Sequence, residues 1–388
     1  MATRAAPKRI ALHVDGGCVP GLQSVVTGVV LAASELGWKV LGIRGGFDGL
    51  LWPDRYPAGA MVKLTSAVVQ DVSATGGLLL GTAGRTDPFR VQTVNSQHQI
   101  EQVDRSDSLV EMIRAARIDA VVAVVDWQGL AVAHRLHRKG LEVACVPKSI
   151  EHDVAATAGS LGFDSALKEA AETLDRARRA VRSTPCIIVA EVLGEYAGWL
   201  ALQAGLAVLA DAVLIPEIKY DLRKVAEGLR ARDSSPGRGS LVVAAEGAAP
   251  AGEGQGPAGA YGVDPLRAFL APLATGPEGA HAIFRSGQVA EAVARELQLL
   301  TDRETLPLSL GPLVRGGAAT ATDRQLGVAY GAGVVRAVER DEYGVVVSLN
   351  PPELELVPLS TAIHGVRTVP ANAAVVETAR AVGISLGD

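Results

Sequence analysis

Residues 10–43 read IALHVDGGCVPGLQSVVTGVVLAASELGWKVLGI, and this stretch decides the fold. Ile10–Val14 is an apolar run of strand length, Gly16-Gly17 is a turn, a helix runs from about Pro20 to Leu36, and Val40–Ile43 returns as a second strand. Apolar strands alternating with helices predict a parallel sheet, because helices on both faces are what lets such strands be buried on both sides. The alternation continues through Ile118–Val125, Val143–Val146, Ile187–Val192, Ala212–Ile215 and Leu241–Ala245, with helical stretches at Asp164–Ala180, Trp199–Ala207 and Leu222–Arg232 between them. The order predicts an α/β protein of two doubly wound, Rossmann-like parallel-sheet lobes; the connections are too unequal for an eightfold barrel. Sheets of this kind bind ligands beyond the carboxyl ends of their strands, which directs attention to the loops after Val14, Val125, Val146, Val192 and Ala245. Ala248–Gly262, almost all Ala, Gly and Pro, reads as a flexible surface loop. Gly344–Leu349 and Glu353–Pro358 read as a hairpin, followed by a final helix.

Composition narrows the class. The chain has 388 residues, 48% hydrophobic and 20% charged, enough apolar material for a large core and too much for intrinsic disorder. Its 37 basic and 42 acidic residues leave a net charge of −5, which argues against a nucleic-acid surface. Cys18, Cys145 and Cys186 are too few and too scattered for a disulfide framework or zinc cluster. Gly198–Ile215, the longest apolar stretch, is broken by Gln203 and Asp211 and reads as a buried helix running into a strand, not a membrane span. Met1 leads through Arg4, Lys8 and Arg9 with no signal-peptide core, so the expectation is a cytoplasmic protein acting on a small molecule, with no nucleic-acid or membrane partner.

Three loops could carry chemistry. Asp15–Gly21 places glycines between a strand and a helix start, where backbone amides and the helix dipole favour an anion. Gly76–Arg90 is a second glycine-rich turn with arginines placed to clamp an anion. Pro147–Asp153 brings Lys148 before two carboxylates, Glu151 and Asp153, a set suited to a general base and a metal or phosphate partner. Each has a plain alternative: a tight turn without ligand for the first, solvated surface loops for the others.

Taken in order, these loops resemble the phosphofructokinase family, which transfers phosphate from ATP or diphosphate to fructose 6-phosphate. The family's T-S-G-G-D-x-P-G is similar to His13–Gly21, G-G-T-x-L-G-T-S-R-T-N-P to Gly76–Pro88, T-I-D-N-D to Ser149–Asp153 and G-F-D-T-A to Gly162–Ala166. E-V-M-G-R-x-A-G-x-L-A-L is similar to Glu191–Leu202, V-x-E-G to Ala244–Gly247, and R-G-G to Arg315-Gly316-Gly317, followed by Asp323-Arg324. The resemblance implies a donor lobe of residues 1–146 plus about 316–368, an acceptor lobe of 147–315 plus about 369–388, and a homo-oligomer, dimer or tetramer. It also implies Mg²⁺ on Asp126, donor phosphates held by Gly16, Gly17 and Arg85, and catalysis by Glu151 as base with Asp153 and Lys148. Ser149, Gly194, Glu195, Glu246 and Arg315 then fall on the acceptor side, and ATP or diphosphate is the co-substrate.

Several positions depart from the family pattern. Its G-G-D-G or G-G-D-D is here Val124-Val125-Asp126-Trp127-Gln128, with an indole where the ordinary ATP pose needs space. Glu151 replaces an aspartate and is one methylene longer. Lys148 stands where diphosphate-using members carry lysine. Glu195 replaces an arginine close to the transferred phosphate, and Cys186, Leu306 and Pro312 replace two arginines and a histidine around the sugar phosphate, so the expected acceptor is a sugar or other small alcohol other than fructose 6-phosphate. The sequence leaves two alternatives beside a diverged phosphotransferase: the cleft repurposed for another reaction on a small metabolite, drawing on Gln128, His152 and Glu195, or a non-catalytic paralogue. Joint retention of Asp126, Glu151, Asp153 and Glu246 as acids favours chemistry, since buried unpaired carboxylates are costly.

Overall fold

A computed structural model describes residues 7–73, 79–82, 86–94, 99–181, 184–231, 239–251 and 287–388. They fall into two compact units, one drawn from 1–149, 154–162 and 318–364, the other from 150–153, 163–317 and 365–388. The sequence reading divided the chain after 146, 315 and 368. The short return of 154–162 to the first unit has a local cause: Ala158 N–H bonds Leu349 O at 3.0 Å, Ser149 N–H bonds Leu161 O at 3.1 Å, and Thr157 Oγ1 meets Tyr330 Oη at 2.9 Å.

The first unit holds β1 (Arg9–Val14), β2 (Lys39–Ile43), β3 (Met61–Leu64), β4 (Val91–Val94), β5 (Ile100–Val103), β6 (Ala120–Val125), β7 (Val143–Pro147), β12 (Val345–Asn350) and β13 (Glu353–Pro358). Seven of these strands form one sheet in the order β13-β12-β7-β6-β1-β2-β3, while β4 and β5 pair as a separate antiparallel hairpin. The centre is parallel, with Ile10 opposite Ala120 and Val40, and it is closed by antiparallel edges, β3 on β2 and β13 on β12. All six residues of β6, Ala-Val-Val-Ala-Val-Val, are buried, as a central parallel strand requires. The helix Leu22–Glu35 lies against Ala321–Glu339 with almost no gap. A Cβ on Gly28 would stand 2.6 Å from Val328 O, and one on Gly331 2.5 Å from Val25 O, so only glycine allows this approach.

The second unit is built on β8 (Ile187–Val192), β9 (Ala212–Leu214), β10 (Ser240–Ala245) and β11 (Thr305–Ser309), parallel throughout in the order β11-β8-β10-β9. Its core gathers Ile187, Val189, Leu214, Val225, Val242 and Val293. Gly198–Ile215 is the helix Trp199–Ala207 running into β9, as its two polar interruptions predicted. Ala248 and Ala249 depart from the surface-loop expectation: both are buried, and Ala249 O and Ala251 N pair with Tyr220 at 3.2 and 2.7 Å. Residues 252–262 of that stretch lie outside the described residues. Among the described residues, no helix is long and apolar enough to cross a membrane.

Candidate active site

In the first unit the chain reverses direction across the sheet at β1, which has β2 on one side and β6 on the other. The loops leaving β1, β6 and β7 therefore converge at one sheet edge, where such folds take ligands. Asp15 N–H bonds Val124 O at 3.2 Å and Lys148 N–H bonds Val125 O at 2.9 Å, so the loop starts are tied to one another. Asp126 caps the helix Trp127–Arg138, its Oδ1 accepting from Gly129 N–H at 2.9 Å, which turns Oδ2 toward Gly16. Lys148, 2% exposed, donates its ammonium to Gly16 O at 2.8 Å and Gly17 O at 2.9 Å. Gly16 has φ +63°, and a Cβ there would lie 2.9 Å from Asp126 Oδ2 and 3.4 Å from Lys148 Nζ.

Asp15 is the member of this group that sequence reading passed over. It is buried, and its Oδ1 accepts from Gly16 N–H at 2.8 Å. Burial pushes its carboxyl up to about 7 and the Asp126 charge adds to the rise; the Gly16 amide and the Lys148 ammonium pull the other way. His13, on the strand below, stacks on Phe47 at 3.6 Å, and burial drives its imidazole down to about 3, with Lys148 adding to the fall. Asp15 immediately follows an apolar strand at its carboxyl end, and that position is the signal that could have found it. Two adjoining carboxyl groups and a buried ammonium thus meet at the end of β1. Among the described residues no group of three His, Cys, Asp or Glu could enclose a metal. Magnesium asks for less: one or two carboxylates, with water and substrate phosphate completing its shell. Asp15 and Asp126 fit that demand.

The second unit has its own convergence. Gly194 and Glu195 follow β8, Glu246 and Gly247 follow the neighbouring β10, and Glu246 N–H bonds Val192 O at 3.0 Å. Gly247 N–H bonds Gly194 O at 3.1 Å, and a Cβ on Gly247 would collide with Glu195 O. The loops thus touch backbone to backbone. Gly194 N–H reaches Glu246 Oε1 at 3.4 Å, while Glu195 N–H reaches Glu151 Oε2 at 3.3 Å. Arg315 Nη2 faces Glu151 Oε1 at 3.9 Å, with both side chains largely covered. Burial pushes Glu246 up to about 8, the Glu151 charge and then Glu195 adding to it, and the Gly194 amide opposing.

The residues singled out from the sequence thus sort by unit. Gly16, Gly17, Asp126 and Lys148 are brought together in the first, with Ser149 buried at its boundary. Glu151, Gly194, Glu195, Glu246 and Arg315 are brought together in the second, which also holds the buried Asp153. Asp126 and Asp153 lie in different units. In this conformation the Gly16 amide, expected to face an anion, is bonded to Asp15. Arg85 lies outside the described residues. Trp127 is buried in the first turn of its helix. A second residue that sequence reading missed is Arg367, whose Nη1 lies 2.5 Å from His152 Nε2, between Glu151 and Asp153 in the chain.

Comparison with known proteins agrees in kind. The pattern of the family described as Phosphofructokinase matches residues 9–338. The chain is 35% identical over 383 residues to an ATP-dependent 6-phosphofructokinase of Chloroflexus aurantiacus, covering 98% of each. It is 33% identical over 367 residues to the pyrophosphate–fructose 6-phosphate 1-phosphotransferase of Amycolatopsis methanolica, covering 93% of this chain and 96% of that one. The fold matches the pyrophosphate-dependent phosphofructokinase of Nitrosospira multiformis with a TM-score of 0.74 at 18% identity, over 98% and 93% of the two chains.

Proposed function

This chain belongs to the phosphofructokinase family, and on that premise we propose that it is a phosphotransferase moving a phosphoryl group from diphosphate or ATP to a hydroxyl of a sugar or other small alcohol, an acceptor other than fructose 6-phosphate. The observation that carries this reading is the setting of Glu151. Its carboxylate is oriented by the Glu195 amide at 3.3 Å and faced by Arg315 at 3.9 Å, on the stretch where the chain passes from one unit into the other. A general base needs such fixing, because an ångström of misplacement costs on the order of 100-fold in rate.

In the reaction Glu151 takes the proton of the attacking hydroxyl while its oxygen bonds to phosphorus. The bond from phosphorus to the donor's bridging oxygen breaks, and phosphate or nucleoside diphosphate leaves with that electron pair. Lys148, Gly16 and Gly17 hold the donor phosphates; the buried Lys148 and the bulk of Trp127 favour diphosphate over ATP. Asp15 and Asp126 would hold Mg²⁺, which when bound supplies charge neutralisation to the transferring group. Glu195 places a carboxyl group on the acceptor side where the family pattern carries arginine, unfavourable surroundings for the dianion of fructose 6-phosphate.

The curated relatives favour a second reading, fructose 6-phosphate itself, since both are named for it and match along nearly their whole length. The test is a coupled assay of the purified chain with Mg²⁺, diphosphate or ATP, and a panel of sugars, sugar phosphates and polyols. A preferred acceptor other than fructose 6-phosphate, with kcat reduced about 100-fold or more in Glu151→Gln, is the expected result. Preference for fructose 6-phosphate would install the second reading. Transfer from neither donor would overturn both.

A further inference from the structure

Aligning Gly16-Gly17 with the glycine pair of the family pattern T-S-G-G sets Asp15 at the serine, so this chain carries a carboxyl at the head of the donor turn where the pattern has none. The extra acid is not left to water. Asp15 is 7% exposed, and its Oδ1 accepts from Gly16 N–H at 2.8 Å. The Thr86 amide donates to the same carboxyl, and the Lys148 ammonium acts on its charge. Thr86 is itself fixed, its hydroxyl donating to Asp48 Oδ1 at 2.6 Å. Asp15 therefore ties the turn after β1 to the loop of Gly76–Arg90.

Those three partners have another use. Gly16, Lys148 and the loop of Gly76–Arg90 are the elements that the sequence and the proposed reaction give to the donor phosphates. Carboxylate and phosphate oxygens compete for the same amides, because each is an anionic acceptor. In this conformation Asp15 sits on two of those amides as an internal anion. A serine there would be neutral and could not oppose a second anion. Like charges repel strongly where water is excluded, so an entering diphosphate meets Asp15 as well as the amides it holds. The same carboxyl, with Asp126, fits Mg²⁺, and a cation between carboxylate and phosphate turns that repulsion into a shared attraction. Turning to the cation and releasing the Gly16 and Thr86 amides are one movement of the side chain.

We propose that Asp15 is an internal stand-in for a donor phosphate: it occupies the Gly16 and Thr86 amides, turns metal-free diphosphate away, and yields the amides when it engages Mg²⁺. This rests on the reading that donor phosphates bind at Gly16 and Gly17, and it makes Asp15 the residue that selects the form of the donor. Its removal has the opposite sign to the loss of a structural tie, which would loosen the turn and weaken binding.

The test is isothermal titration of the full chain with inorganic diphosphate at pH 8, once in EDTA and once in excess Mg²⁺. Wild type should bind diphosphate weakly in EDTA and more tightly in Mg²⁺. Asp15→Ser should bind metal-free diphosphate about tenfold or more tighter than wild type. Asp15→Asn, which keeps the size of the side chain and removes its charge, should fall between them. In Mg²⁺ the gain should vanish, because both variants have lost a ligand to the cation. Melting curves establish that the variants are folded. Metal-free affinity equal to or below wild type in both folded variants would overturn the proposal, as would the same gain with and without Mg²⁺. Wild type that binds diphosphate in Mg²⁺, with no metal-free gain from either substitution, removes the stand-in and keeps the donor site. No binding by any form in either condition removes both, so the two failures are separable.

Discussion

Glu151 and Glu246 rest on neighbouring amides of one turn: Glu195 N–H donates to Glu151 Oε2 at 3.3 Å and Gly194 N–H to Glu246 Oε1 at 3.4 Å. Two carboxyl groups this close in a covered site cannot both be charged cheaply, and it is Glu246 that is driven up, to about 8.

That shift makes stability depend on pH. The folded value lies above the ordinary 4.5, so the folded chain holds a proton on Glu246 that the unfolded chain has released. The stabilisation is whole below about 4.5 and is lost as the pH rises through about 8. Glu246→Gln keeps a neutral group of similar shape with no proton to lose. Its melting temperature should therefore fall less than that of wild type between pH 6 and pH 9, by about 2–4 °C. Parallel melting curves across that range would show that Glu246 is already ionised.

Lys148 tests the other unit. With 2% exposure its ammonium offsets the charges of Asp15 and Asp126 where water cannot. Lys148→Met should cost about 3–5 kcal/mol, the usual penalty for stranding buried charge. Without the ammonium, Asp15 should titrate above its present value of about 7, so the loss against wild type should be larger at pH 8 than at pH 5.5. Urea unfolding at both values measures it, and an equal loss at the two would remove the electrostatic account.

What the sequence made legible follows from periodicity. β1, β6, β8 and β10 are nearly continuous apolar runs, and the glycine-rich turns sit at their ends. The elements it missed lack that mark. In β3, Lys63 interrupts an antiparallel edge strand, and in β11, Pro307 removes a ladder donor, which an edge strand tolerates. The hairpin of β4 and β5 alternates weakly, leaving Val94 and Ile100 exposed. Of the site, Gly16, Gly17, Lys148 and Glu151 stood out in strand-end loops, while Asp126, Gly194 and Glu246 were marked only by the resemblance to the family pattern. Arg367 could not, because its partner His152 is 215 positions away and their meeting depends on how the last segment returns to the second unit.

Gly16 carries a conformational demand that can be tested separately from charge. At φ +63° an alanine is strained, and its Cβ would press on Asp126 Oδ2 at 2.9 Å. Gly16→Ala should lose about 1–3 kcal/mol of stability and weaken diphosphate binding in the presence of Mg²⁺, both read by calorimetry. Lost stability with unchanged diphosphate affinity would mean that this turn serves the fold and not the donor.

Glu195 offers the strongest test of acceptor choice, because the family pattern carries arginine at that position. Its carboxylate adds to the push on Glu246, and its amide holds Glu151, so its side chain acts beside both groups. Glu195→Arg removes a negative charge and introduces a guanidinium on the same loop. Glu246 should then titrate lower, and a sugar phosphate should gain one charge-assisted bond, worth about a tenfold fall in KM. Because the backbone amide is unchanged, Glu151 should keep its position and kcat should stay within about threefold. The comparison to make is KM for fructose 6-phosphate against KM for a neutral sugar in wild type and variant. A selective gain for the phosphate ester would show that Glu195 turns that acceptor away, whereas an equal change for both would assign the selectivity elsewhere.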